Sequence, residues 1–183
     1  MNNFIIFHGT NGSPEENWFP WLKAELEAKG HRVYVPALPT PEGQTVDEWM
    51  SACKTQLPSF SADNDITLIG HSAGATFLLH FLEAMDIKAL RSIFISPVMD
   101  EINIEEYDVL NHSFIEHDFD WNVIKSRAGE VNVLHGDNDP YVPLEQAHRL
   151  SADLGVQTTV IKNGGHLNSE SGYTDFPMLL NIF

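Results

Sequence analysis

The chain has 183 residues, 43% hydrophobic and 20% charged, a balance that suits one globular domain over residues 1–183. Asp and Glu number 26 against 10 Lys and Arg; the formal charge of −16 argues against nucleic-acid binding, which needs a basic footprint, and disfavours anionic membrane surfaces. Cys53 is the only cysteine, so no intramolecular disulfide can form; the opening "MNNFIIFHG" lacks a signal peptide's basic region, no apolar stretch reaches membrane-spanning length, and a cytoplasmic location is expected.

Phe4 to Phe7 is a short apolar run closed by "HGTNG", which predicts a buried strand feeding a Gly-rich loop. Trp18 to Lys29 places Leu22, Leu26 and Ala28 among charges, with Gly30 as a stop, and predicts an amphipathic helix. Val33 to Val35 is a second strand, ended by "PALPTPEG". Thr45 and Glu48 form a capping-box pattern that starts a helix running to about Gln56. After the loop "LPSFSADND", Ile66 to Ile69 is a third strand and Ala73 to Met85 a buried helix. Ser92 to Ser96 is a fourth strand, followed by a long irregular acidic stretch from Pro97 to Asp120. A short helix is expected over Trp121 to Arg127, a fifth strand over Val131 to Leu134, and a helix opening on Pro143. Val156 to Ile161 is a sixth strand, and the C-terminus reads as an apolar helix. Alternating strands and helices imply a mostly parallel sheet covered on both faces, with any site at the carboxyl ends of the strands.

Gly70-His71-Ser72-Ala73-Gly74 falls at one of those ends, between a strand and a helix. That is the setting of a nucleophile elbow, in which small neighbours let the chain turn sharply and hold the serine oxygen clear. A serine hydroxyl needs a base, and in this class the partners follow in the order acid, then His. "HGDNDPYVP" after the fifth strand offers Asp137 and Asp139; "NGGHLN" after the sixth offers His166. The backbone amides of Ala73 and Thr10 are the candidates for an oxyanion hole. Each residue alone is ordinary loop material, but three in order at strand ends point to nucleophilic catalysis.

His8, Asn11 and His71 are candidate pocket residues. Phe114, Phe119 and Trp121 could form the apolar wall of an acyl pocket, with core packing as the competing role. His31, His80, His112, His117, His135 and His148 show no metal-ligand spacing and read as structural or solvated, so no metal is expected. Cys53 reads as core packing. The acidic stretch carries eight carboxylates and no Lys or Arg, and it can overhang the site, where it would favour neutral or cationic substrates.

"HGTNGSPEENWFPWLKAEL", "VPALPTPEG", "GHSAG", "FDWNVIKSRA", "DNDPYVP" and "GGH" resemble the α/β-hydrolase superfamily and, more narrowly, the small serine hydrolases related to retinoblastoma-binding protein 9. The resemblance implies a three-layer α/β/α sandwich with a six-stranded parallel sheet in the order 2-1-3-4-5-6 and no cap domain. It implies catalytic roles for Ser72, Asp139 and His166, with Asp139 favoured over Asp137 because it directly precedes the turn from Pro140 to Pro143. The retinoblastoma-binding motif does not carry over, since "SACKT" around Cys53 lacks its Leu and Glu. The expected activity is hydrolysis of small acyl esters, with thioesters or amides as alternatives, without cofactor. The competing reading is a binding module that retains a vestigial site.

Overall fold

The computed structural model describes residues 1–60 and 65–183, so the loop expected at 57–65 lies partly outside the described residues. Six strands, β1 (Asn3–Phe7), β2 (Arg32–Tyr34), β3 (Ile66–His71), β4 (Arg91–Ile95), β5 (Glu130–Gly136) and β6 (Thr158–Ile161), form one parallel sheet in the order β2-β1-β3-β4-β5-β6. Fold class and strand order match the expectation. The register sets Asn3 opposite Ile66 and Ile69 opposite Ile93.

The central strands β1, β3 and β4 are buried on both faces because they are largely apolar on both sides, while the edge strands β2 and β6 are partly exposed. Ile5, Phe7, Leu68, Phe94 and Val133 face one cluster; their neighbours Phe4, Ile6, Ile69, Ile93 and Leu134 face the other. The first cluster is completed by α2 (Val46–Gln56), α3 (Ala73–Ala84), α5 (Trp121–Arg127) and α6 (Leu144–Leu154). The second is closed by α1 (Phe19–Ala28) and the C-terminal segment, through Phe19, Leu22, Phe176 and Leu179. Local signals set the helix ends. Thr45 Oγ1 accepts from Glu48 N–H at 3.2 Å to cap α2, and Gly30 takes φ +84° just past Lys29, the C-cap of α1. In α3 the ten residues from Ala73 to Leu82 are all buried, as befits a helix at the centre of the larger layer.

Three expectations need correction. The acidic stretch is not irregular: it contains α4 (Glu105–Ile115). Tyr107, Asn111 and Phe114, at helical spacing, turn inward, while Glu105, Glu106, Val109 and His112 remain exposed. The C-terminus holds two short 3₁₀ segments, Ser169–Ser171 and Pro177–Asn181, in place of an apolar helix. Gly172 at φ +90° ends the first, and Pro177 opens the second too near the chain end for a helix to propagate. Pro143 caps α6 and is not its first residue.

Candidate active site

The turn after β3 is built around Ser72, whose φ of 56° and ψ of −125° are conformations that residues with a side chain avoid. Such strain costs about 1–3 kcal/mol and persists only where the surroundings enforce it. Here Ser72 N–H donates to Ile95 O at 2.9 Å, tying the turn to β4, and Ala75 N–H donates to Ser72 O at 2.9 Å. The glycines are sterically required. A Cβ on Gly74 would run into the carbonyl oxygens of Phe7 and His8, and one on Gly70 into the backbone of Gly74 and Ala75. Gly9, outside the motif, is constrained in the same way: its Cβ would stand 2.8 Å from Ser72 Cβ.

Asp139 and His166 meet across the ends of β5 and β6, with His166 Nδ1 2.7 Å from Asp139 Oδ2. The Asp139 side chain is 1% exposed. Its other oxygen accepts from Tyr141 N–H at 2.9 Å and Val142 N–H at 3.0 Å. Burial pushes this carboxyl up, but the hydrogen bond and charge of His166 and the two amides outweigh it, so Asp139 sits below the usual carboxylate range. The His166 backbone is pinned as well. Its carbonyl accepts from His71 Nε2–H at 2.9 Å and Ser96 Oγ–H at 3.2 Å, and its N–H donates to Ser171 Oγ at 3.1 Å. Burial, with His166 nearby, pushes His71 down to about 3, which keeps it a neutral donor. With Nδ1 engaged, Nε2 is the uncommitted nitrogen of His166. Asp137 does something else: its carboxylate accepts from Asn163 N–H at 2.6 Å, joining the two loops.

Ser72 and His166 line one cavity of about 220 Å³. Glu16 and Glu170 also line it, and no Lys or Arg does among the described residues. Thr10 enters from the loop after β1, and its side chain is held from behind. The Thr10 hydroxyl donates to Asn111 Oδ1 at 2.7 Å and accepts from Gln44 Nε2–H at 2.8 Å. Gln44 Nε2–H also donates to Asn111 Oδ1 at 3.0 Å.

A family model described as serine hydrolase matches residues 4–183. The chain belongs to the serine hydrolase family. This serine hydrolase is 25% identical to YdeN of Bacillus subtilis (strain 168) over 178 residues, covering 97% of this chain and 92% of that one. It is 21% identical to the serine hydrolase RBBP9 of Rattus norvegicus over 181 residues, covering 97% and 91%. The crystal structure of the ydeN gene product superposes with a TM-score of 0.88 at 23% identity, covering 100% of this chain and 96% of that one. Est1E from Butyrivibrio proteoclasticus with bound ferulic acid gives 0.69 at 17% identity, covering 100% and 90%.

The remaining residues singled out in the sequence separate cleanly in the serine hydrolase structure. Asn11 and His71 line the cavity. Ala73 is the first residue of α3, so its N–H has no partner within the helix. His8 does not line the cavity. It is buried beneath the loop, its Nδ1–H donating to Gly9 O at 3.0 Å and its Nε2 accepting from Leu38 N–H at 3.0 Å. Phe114 is fully buried against Trp49 and Phe77, where covering its ring gains ~1.5–3 kcal/mol that a half-open cavity wall would forgo. Phe119 and Trp121 pack against the same core and each other, outside the cavity. The apolar wall comes instead from Val98, Ile102, Tyr107 and Val142. Sequence reasoning also missed Gln44, Asn111 and Glu170. A polar residue inside a helix, as Asn111 is, or in a Pro/Gly loop, as Gln44 is, carries no local mark of a buried network.

Proposed function

We propose that this serine hydrolase cleaves small acyl esters, or the corresponding thioesters or amides, through an acyl-enzyme on Ser72. The observation that carries the reading is the convergence of a strained Ser72 and the buried Asp139–His166 pair on one cavity. Ser72 Oγ attacks the carbonyl while His166 Nε2 takes its proton, and Asp139 stabilises the imidazolium that forms. The N–H groups of Ala73 and Thr10 receive the developing oxyanion, helped by the positive end of the α3 dipole. His166 returns the proton to the leaving alcohol and then activates water to release the acid. The reaction needs no metal or organic cofactor. A cavity near 220 Å³ lies below the range of about 300–1,000 Å³ usual for drug-sized ligands, which favours short acyl groups.

A fluorophosphonate probe with a short-chain ester assay tests the reading. Stoichiometric labelling and turnover, both abolished in Ser72→Ala, are expected. A folded wild-type protein that neither labels nor turns over would make this chain a binding module with a vestigial site.

A further inference from the structure

Outside the acyl cavity, α3 presents a second group of chemically capable side chains. His80 and Glu83, three residues apart, share one face of the helix. His117 approaches them from the connection between α4 and α5. One ligand atom from each of the three lies within 4.8 Å of the others, the one such cluster among the described residues. We propose that His80, Glu83 and His117 bind a single divalent transition-metal ion of the zinc class.

The donors suit that ion. Two imidazoles and one carboxylate are a nitrogen-rich set that zinc favours, with water in the fourth position, whereas calcium and magnesium require mostly oxygen. Two of the three are already held by outer contacts of the kind that orient metal ligands. His80 Nε2–H donates to Phe114 O at 2.8 Å, which fixes the tautomer and leaves the lone pair on Nδ1. Glu83 Oε1 accepts from Asp120 N–H at 2.6 Å, which fixes the carboxylate and leaves Oε2 toward His117 Nε2 at 2.6 Å. The Phe119 ring stands 4.8 Å from each imidazole, and the imidazoles are 4.7 Å apart, so an apolar wall flanks the group.

A tetrahedral ion with bonds near 2.0–2.1 Å sets its ligand atoms about 3.3 Å apart. The present spread, from 2.6 Å to at most 4.8 Å, brackets that spacing. His117 has a side chain 38% exposed and can rotate to meet it. The net charge of −16 raises the local cation concentration. An ion here would fasten the 116–120 connection to α3, the helix that begins immediately after Ser72. It would therefore stiffen the support of the nucleophile without touching substrate.

The test is a zinc titration of tag-free full-length protein, followed by thermal melting and by cobalt(II) absorption. Zinc at a hundredfold excess over its Kd should raise the melting temperature by roughly 5–10 °C. Cobalt should develop the intense visible bands of a four-coordinate site. Both signals should vanish in His117→Ala, which alters an exposed side chain. They should also vanish in Glu83→Gln, which keeps an acceptor for Asp120 N–H, and persist in the control His112→Ala. No shift in the wild type, or a shift of equal size in both ligand variants, would overturn the proposal.

Discussion

Replacing Asp139 with Asn changes one atom, and the surroundings dictate how the new amide must turn. Oδ1 of Asp139 accepts two backbone N–H groups, from Tyr141 and Val142, and the side chain is buried. An amide NH₂ in that position would face two donors, so the Asn carbonyl must take it. The NH₂ group then points at His166 Nδ1, which becomes an acceptor, and the ring proton moves to Nε2. His166 Nε2 then carries a proton and has no lone pair left to act as the proposed base for Ser72. The expected loss is about 10⁴ in kcat, or about 5 kcal/mol of transition-state stabilisation. Asp137→Asn keeps an acceptor for Asn163 N–H and should stay within a few-fold of wild type. Both are measured with a short activated ester, with folding checked by thermal melting. The same variant carries a stability signature. The folded-state pKa of Asp139 is depressed from 3.8, so its contribution is fully present above that value and is lost as pH falls through the depressed one. The stability gap between wild type and Asp139→Asn should be open at neutral pH and should close in strong acid. Full activity in Asp139→Asn, or a crippling effect of Asp137→Asn alone, would refute the reasoning.

Two further outcomes are expected. Asn111→Ala strips the shared acceptor from Thr10 and Gln44, which should lower stability by ~1–3 kcal/mol and lower kcat roughly tenfold or more with KM little changed; a destabilised variant with normal kcat would detach Thr10 from the chemistry. With Glu16 and Glu170 on the cavity wall, a neutral ester should have a higher kcat/KM than a matched ester bearing a carboxylate, and added salt should narrow the gap. Equal values at low ionic strength would show that these carboxylates do not act on the substrate.

The sequence made the site more legible than its walls. Ser72, Asp139 and His166 are readable because each follows a strand-like run and sits among Gly, Asp or Pro residues that mark a strand end. Choosing Asp139 over Asp137 depended on a family resemblance, since both carboxylates occupy the same loop and only their partners distinguish them. The helix α4 was hidden because carboxylates crowd its outer face and Asn111 breaks the apolar repeat between Tyr107 and Phe114. Sequence alone leaves open whether its charges face the cleft or solvent; Glu101, Glu105 and Asp108 border an outer depression with His112. What reaches the cavity from this stretch is Val98, Ile102, Tyr107 and Asn111. Aromatic character alone could not separate Phe114, which seals the core, from Tyr141, whose ring stands edge-on to His166 at 5.2 Å. His8 misled for a similar reason, because a histidine beside a Gly-rich loop looks alike whether it binds substrate or braces the backbone.

The contact between Gly9 and Ser72 bears on how the protein acquires activity as it folds. The strained serine is held between β1, whose end presses on Gly74, and β4, which accepts its amide hydrogen. Neither support is local: β1 reaches β3 only by pairing Asn3 with Ile66 across an intervening strand and two helices. Closing such a loop carries an entropic cost that is offset only once the long-range contacts form. A collapsed chain with its helices formed but its central strands unpaired has no reason to keep Ser72 at positive φ. Reactivity of that hydroxyl should therefore return during refolding with the pairing of β1, β3 and β4, and lag behind any signal that reports helix content alone.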